Sequence, residues 1–355
     1  MAADANALTL YDYGAMSNDP LVKKITMGLY DQGVSVLDVL PIANTKSLKA
    51  NGVRFLAGSL PTVGTRKLNG EPTVVRSVPK RFEEQAYIVS NQFQIDRFLD
   101  MEQNAIQDPI DVQFSAWQKS FVRTFSDKFI NAVPTTDDDW FAGVRYRLGT
   151  IGRAEYDIPN EMNFNAANGL STGTSGLAFA LSGTNAMTSA TAETFFERLD
   201  QALDYVGSPE GNGISIFVND TMFRRIATAA KRAQSGNALD QTKDNFDRVI
   251  TTYRNARLLQ LPRKSDDSSK IIADTETAAG ADASGTAAND ICSSVYVCKF
   301  GADSFTGWQF EPLAVKDLGI DPTVGTRRNV VVDWACGLFQ ANPRSVARIF
   351  GLQVS

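Results

Sequence analysis

One long helix with an apolar stripe limits the fold more than any other feature. Residues 108–131 place Ile110, Phe114, Trp117, Phe121, Phe125 and Phe129 three or four positions apart. That spacing keeps one helix face apolar throughout. Pro109 fits the first turn of such a helix, and Pro134 stops it. A row of rings can line a ligand groove, but a stripe this regular reads as a packing face. Other elements must cover it.

The segment before this helix has the opposite character. Residues 44–97 read as a long β-hairpin, with Val53 and Phe55 on one branch and Tyr87, Val89, Phe93 and Ile95 alternating on the return branch. Turn residues Gly58, Pro61, Gly64, Asn69, Gly70 and Pro72 fill the middle. The hairpin is too polar to hold its own core, and it carries Lys46, Lys49, Arg54, Arg66, Lys67, Arg76, Lys80 and Arg81. The whole chain has a formal net charge of -5. A cationic extension without a core, on an acidic protein, either packs on something else or is a solvated loop. A neighbouring copy is the simplest support, with Arg54, Arg66, Lys67, Arg76, Lys80 and Arg81 as the candidate contact residues.

The remainder mixes helices and strands, an α+β pattern. An arm at residues 1–43 contains a helix starting near Pro20, with Leu21, Ile25 and Leu29 at helical spacing. Residues 134–190 read as loop-rich. Phe195, Phe196, Leu199 and Leu203 mark a helix, Ile214–Val218 a buried strand, and Asn219 the cap of a second helix. Strands follow at 247–252 and 256–261, then a Ser/Asp/Ala/Gly stretch at 263–290. The end is β-rich: Ser294–Phe300, a strand after Gly307, Asn329–Phe339 and Ser345–Phe350.

The residue inventory argues against most chemistry. Histidine is absent, which removes Ser-His-Asp and Cys-His catalysis and every histidine metal site. The three cysteines, Cys292, Cys298 and Cys336, form no zinc or disulfide pattern and read as core thiols. No Gly-rich phosphate loop and no GxSxG elbow occurs. Asp137, Asp138 and Asp139 lack further ligands at calcium-loop spacing and read as a solvated helix start. No cofactor or metal is expected. No stretch is apolar enough for a membrane helix. A carboxylate-based hydrolase stays open as an alternative, because acids are plentiful, but no pair stands out.

Several segments together resemble the major capsid proteins of tailed phages, which share the HK97-like fold. They are Ser17-Asn-Asp-Pro-Leu21 with Val36-Leu-Asp-Val-Leu-Pro41, the order hairpin then long helix, and Phe141–Gly149. With them come Ile214–Asn219 between two helices and a tail of Val295–Gly301, Gly307–Glu311, Val331–Trp334, Gly337-Leu338 and Pro343–Leu352. The resemblance implies an N-terminal arm (1–43), an extended hairpin loop (44–97) and a peripheral domain (98–190) built on a spine helix. It further implies an axial domain (191–294), return strands of the peripheral domain (295–347) and a C-terminal segment (348–355).

The function so implied is a shell subunit, not an enzyme. Copies assemble into hexamers and pentamers of an icosahedral head that encloses double-stranded DNA without sequence preference. The place is the virion, after assembly in the host cytoplasm. Portal and decoration proteins are the further partners implied. Some relatives carry a long N-terminal assembly segment that is later cut away; this chain starts almost at the arm, so either a separate scaffolding protein is expected or such a segment was removed. Some relatives crosslink through a hairpin lysine, and nothing marks Lys46, Lys49, Lys67 or Lys80 for that role. An encapsulin-like nanocompartment shell around protein cargo is the alternative within the same fold.

Overall fold

The structure, a computed structural model, describes residues 35–55, 63–72, 74, 79–96, 109–166, 177–181, 186–207, 213–233, 239–243, 249–276, 291–320 and 325–354. The helix expected near Leu21, and Arg76, lie outside the described residues. Chain order begins β1 (Ile42–Asn44), β2 (Lys49–Phe55), β3 (Pro79–Gln85) and β4 (Tyr87–Asp96). Three helices follow: α1 (Pro109–Asn131), α2 (Val144–Leu148) and α3 (Thr150–Tyr156). Next come β5 (Asn163–Asn165), β6 (Leu177–Ala178), α4 (Ser189–Tyr205), β7 (Ile214–Val218) and α5 (Asp220–Arg232). The remaining strands are β8 (Asp240–Lys243), β9 (Val249–Tyr253), β10 (Ala256–Gln260), β11 (Cys292–Lys299), β12 (Phe305–Ile320), β13 (Arg327–Gln340) and β14 (Val346–Gln353).

These strands make a four-stranded sheet in the order β1-β12-β13-β4 and an eight-stranded sheet in the order β5-β14-β11-β7-β10-β9-β8, with β6 beside β14. Among the described residues β2 and β3 pair only with each other. The helix α1 lies on the four-stranded sheet, and its stripe explains why. Phe93 of β4 meets Phe114 and Trp117, with ring centroids 4.9 and 6.3 Å apart. Trp334 of β13 sits 5.7 Å from both Phe121 and Phe125. At the far end Phe129 reaches Phe217 of β7 and Phe305 of β12, each at 5.7 Å, and so joins the two sheets. Burying each such ring stabilises the fold by about 1.5–3 kcal/mol. The Trp334 indole N–H donates to Gln309 Oε1 at 2.9 Å, so this large ring is buried without an orphaned donor.

The expectation of one hairpin from 44 to 97 changes in a specific way. The hairpin closes at β2 and β3, and after Ala86 the chain leaves it to pair β4 with β13 over ten matched positions, Tyr87↔Cys336 to Asp96↔Arg327. Likewise β11, expected as a return strand of the peripheral domain, lies inside the eight-stranded sheet between β14 and β7. Alternation identifies a strand but not its partner, so both assignments were beyond periodicity. The loop-rich stretch 134–190 contains two helices, α2 and α3. Asp137 starts no helix: it closes the turn after α1, accepting from Val133 N at 3.2 Å and from Lys128 Nζ.

The helix that follows β7 starts as its sequence requires. The Asn219 side chain accepts from Met222 N at 2.7 Å, capping α5. Its amide also donates to Ile272 O and Ser293 Oγ, which ties the cap to the loop after β10 and to β11. A buried ion pair, Arg348 to Glu276 at 2.9 Å, holds the same loop to β14.

Candidate assembly surface

An isolated two-stranded ribbon is marginal in water, so the β2–β3 hairpin needs outside support to keep one direction. Three anchors at its root supply it. The first is aromatic. Phe82 stacks on Phe339 of β13 with centroids 5.0 Å apart. Gly52, opposite Phe82 in the ladder, makes that stack possible: a Cβ there would lie 2.4 Å from the Phe82 ring and 2.7 Å from Phe339.

The second anchor is a buried ion pair. Arg147 of α2 reaches Glu84 of β3 with two hydrogen bonds, 2.6 and 3.0 Å, and the two side chains are 0% and 6% exposed. Arg147 also donates to Ala142 O at 3.0 Å and lies 4.2 Å from the centre of the Tyr156 ring. Glu84 accepts in addition from Gln340 N at 3.0 Å. Burial disfavours the charged guanidinium, yet the Glu84 carboxylate beside it holds the proton more firmly than usual. Burial also pushes the Tyr156 hydroxyl up to about 12, so the ring stays neutral under the cation. Such a pair adds little net stability compared with apolar packing, but losing one partner costs about 3–5 kcal/mol. It therefore fixes the hairpin's direction.

The third anchor is Asp157, which follows α3 in a left-handed conformation with φ 55°. That turn aims its carboxylate at the hairpin, where it takes Arg54 from β2 at 2.8 Å and Lys80 from β3 at 2.7 Å. The Arg54 guanidinium also lies 4.5 Å above the Phe82 ring. One acid thus binds a cation from each strand.

The tip is built differently. Leu68 and Asn69 form a turn, with Gly70 N donating to Lys67 O at 2.9 Å and Asn69 at φ 64°. Val63, Leu68 and Val74 are 92%, 95% and 95% exposed. Arg66 donates to Gly70 O, and Lys67 has no partner among the described residues. Fully exposed aliphatic groups thus stand beside cations at the end of an arm held at its root.

The candidate contact residues therefore divide. Arg54 and Lys80 are engaged inside the chain on Asp157. Arg81 lies on the hairpin surface and donates to Asn51 at 3.0 Å. Arg66 and Lys67 stand at the tip. Glu84, Arg147 and Asp157 escaped sequence reasoning, because their partners lie 63 and 103 positions away along the chain. Gly52 inside a strand was the signal in the sequence, since glycine there often marks a close approach.

No family model matches the chain, and no curated protein matches it by sequence. Solved structures do match its fold. The holo-SrpI encapsulin complex of Synechococcus elongatus PCC 7942 superposes with a TM-score of 0.56 at 11% identity, covering 90% of this chain and 88% of that one. The capsid of cyanophage P-SCSP1u gives 0.55 at 12% identity, covering 89% and 88%. The capsid of a native GTA particle gives 0.53 at 11% identity, covering 90% of each. The chain has the HK97-like fold, and these neighbours are shell proteins. Among the described residues no helix is long and apolar enough to cross a membrane.

Proposed function

We propose that this protein is the major capsid protein of a tailed double-stranded DNA phage. Its work is containment: copies form hexamers and pentamers, and these close into an icosahedral head around packaged DNA. One observation carries the reading. A hairpin is held rigidly at its root by the Glu84–Arg147 pair and by Asp157, while its tip presents aliphatic and cationic side chains to solvent. A lone subunit gains nothing from that arrangement; a subunit with neighbours gains a contact whose direction is already set. Closure of the lattice makes many weak contacts act together. In this reading Arg66, Lys67, Arg76 and Arg81 face the neighbour, whereas Arg54 and Lys80 aim the hairpin. The acidic chain does not grip the DNA it encloses. A scaffolding protein, a portal and a decoration protein are the further partners proposed, with assembly in the host cytoplasm.

The likeness to an encapsulin, as close as that to the phage capsid, supports a second reading: a nanocompartment shell around protein cargo. Electron microscopy of particles from the native source, with nuclease treatment before the contents are released, separates the two. Closed particles holding nuclease-protected DNA are expected. Closed particles holding only protein select the nanocompartment. Failure to assemble with every co-expressed partner present overturns both.

A further inference from the structure

The four-stranded sheet has two outer edges, and they are built differently. Beyond the three positions paired with β1, the β12 edge is closed to further pairing. Pro312 lies in it, its ladder to β13 is irregular in three places, between Gln309 and Glu311, Glu311 and Ala314, and Asp317 and Gly319, and it carries Glu311, Lys316 and Asp317. Proline, bulges and charge are the means by which sheet edges avoid unwanted strands. The β4 edge has none of them until its last residue. Tyr87-Ile-Val-Ser-Asn-Gln-Phe-Gln-Ile-Asp96 runs ten residues without proline, without a basic side chain and without a register shift, and no described strand pairs with its outer side. A long, regular edge of this kind accepts an added strand.

The hairpin tip can donate that strand. Residues 63–67, Val-Gly-Thr-Arg-Lys, belong to no helix, strand or ladder, and Val63 is almost wholly exposed. Their backbone groups have one described hydrogen bond, that of Lys67 O with Gly70 N. Backbone donors and acceptors in a buried contact must be paired, and an arm covering a neighbour buries them. We infer that the tip segment 63–67 of one copy adds as a strand to the open edge of β4 in a second copy, extending its four-stranded sheet to five. This rests on the shell reading above and gives the hairpin its landing place. Main-chain bonds would supply the attachment, with Val63 and Thr65 on one side of the added strand and the Arg66 side chain on the other.

Paired cysteines test it. The native Cys292, Cys298 and Cys336 are buried thiols outside any disulfide, so introduced thiols can be followed without removing them. Cysteine is placed at each of Val63, Gly64 and Thr65 in turn, combined with Ile88→Cys, Ser90→Cys or Gln92→Cys, which share one sheet face. Facing residues of paired strands lie roughly 4.5–5.5 Å apart, within disulfide range. Assembled particles should yield, after mild oxidation, a ladder of covalent multimers that collapses on reduction. It should form with alternate tip positions only, the period of a strand. Unassembled subunits should give none. Particles that form normally but crosslink at no tip position, or at consecutive positions alike, overturn the inference and leave the shell reading standing. Dimers from Gln92→Cys without a tip cysteine show β4 paired with its own copy, which also overturns it. Absence of particles from the wild-type chain with its partners present overturns the shell reading and this inference with it.

Discussion

The root and the tip of the hairpin are two ends of one ribbon, yet they follow opposite rules. At the root the charged side chains are paired and buried or half-buried: Glu84 with Arg147, and Asp157 with Arg54 and Lys80. At the tip, cations and aliphatic groups stand in solvent. The difference separates two tasks. Direction is set inside the subunit, where a dry ion pair has a single geometry. In the proposed reading, contact is left to a neighbouring copy, and each contact stays weak until the shell closes. A hairpin bare at both ends would sample many directions, and ordering it on assembly would cost conformational entropy.

The largest effect is expected at the root. Glu84→Ala strands a fully buried guanidinium, and the expected loss is about 3–5 kcal/mol in urea unfolding of the subunit. Replacing both partners, Glu84→Leu with Arg147→Met, should restore much of that stability. The doubly substituted hairpin should still be cut faster in limited proteolysis, because apolar packing no longer fixes its angle. A loss below about 1 kcal/mol for Glu84→Ala would show that the pair does not hold the root. The next largest effect belongs to Gly52. Its substitution by Val drives a side chain into the Phe82 and Phe339 rings and should cost about 1–3 kcal/mol. Adding Phe82→Ala should make the Gly52→Val change less costly, since the nearer of the two collisions is then gone and that with Phe339 remains.

Much of this architecture was legible from residues, and the limit was consistent. The α1 stripe, the β7 strand and the Asn219 cap are local patterns, and each falls where the sequence places it. The resemblance of ordered segments pointed to the HK97-like fold that the structure has. What periodicity missed was partnership. Val89 and Phe93 alternate whether β4 pairs with β2 or with β13, and Val295 and Val297 do so in either sheet. Charge counting likewise found the cations of the hairpin but not their acids. Arg54 looked like an outward contact until α3 placed Asp157 beside it. A lone glycine in a polar strand was the one local sign of the aromatic stack beneath it.

At the tip the expected signs reverse. Arg66→Ser with Lys67→Ser removes two exposed charges whose only described bond is Arg66 to the nearby Gly70 O. Folding stability should change by no more than about 0.5 kcal/mol. Particle yield, measured by sedimentation, should fall steeply and become less sensitive to salt, because the screened contribution has gone. Lys80 is left in place, since it serves Asp157 and its loss would blur root with tip. Normal yield and normal salt dependence from the double variant would mean that these charges play no part in assembly.

The smallest effect concerns two neighbouring residues. Glu83 and Glu84 are adjacent in β3, so their side chains point to opposite faces. Glu84 enters the body and meets Arg147, while Glu83 stays in water and meets Lys49 at 2.5 Å. The hydrogen bond from Lys49 holds the Glu83 carboxyl below its ordinary value, helped by the charges of Lys49 and Arg81. A lowered folded-state value contributes stability above the unfolded pKa, about 4.3, and loses it as pH falls through the folded value. For an exposed pair that contribution is minor and screened. Lys49→Met should therefore leave the thermal midpoint at neutral pH nearly unchanged and raise the Glu83 titration midpoint, followed by NMR on unassembled subunits. An unmoved Glu83 midpoint would remove the pair from the account. A large stability loss would place Glu83 with the root. The same carboxyl-to-cation chemistry, one residue apart, then differs in worth only because one face of the strand is dry and the other wet.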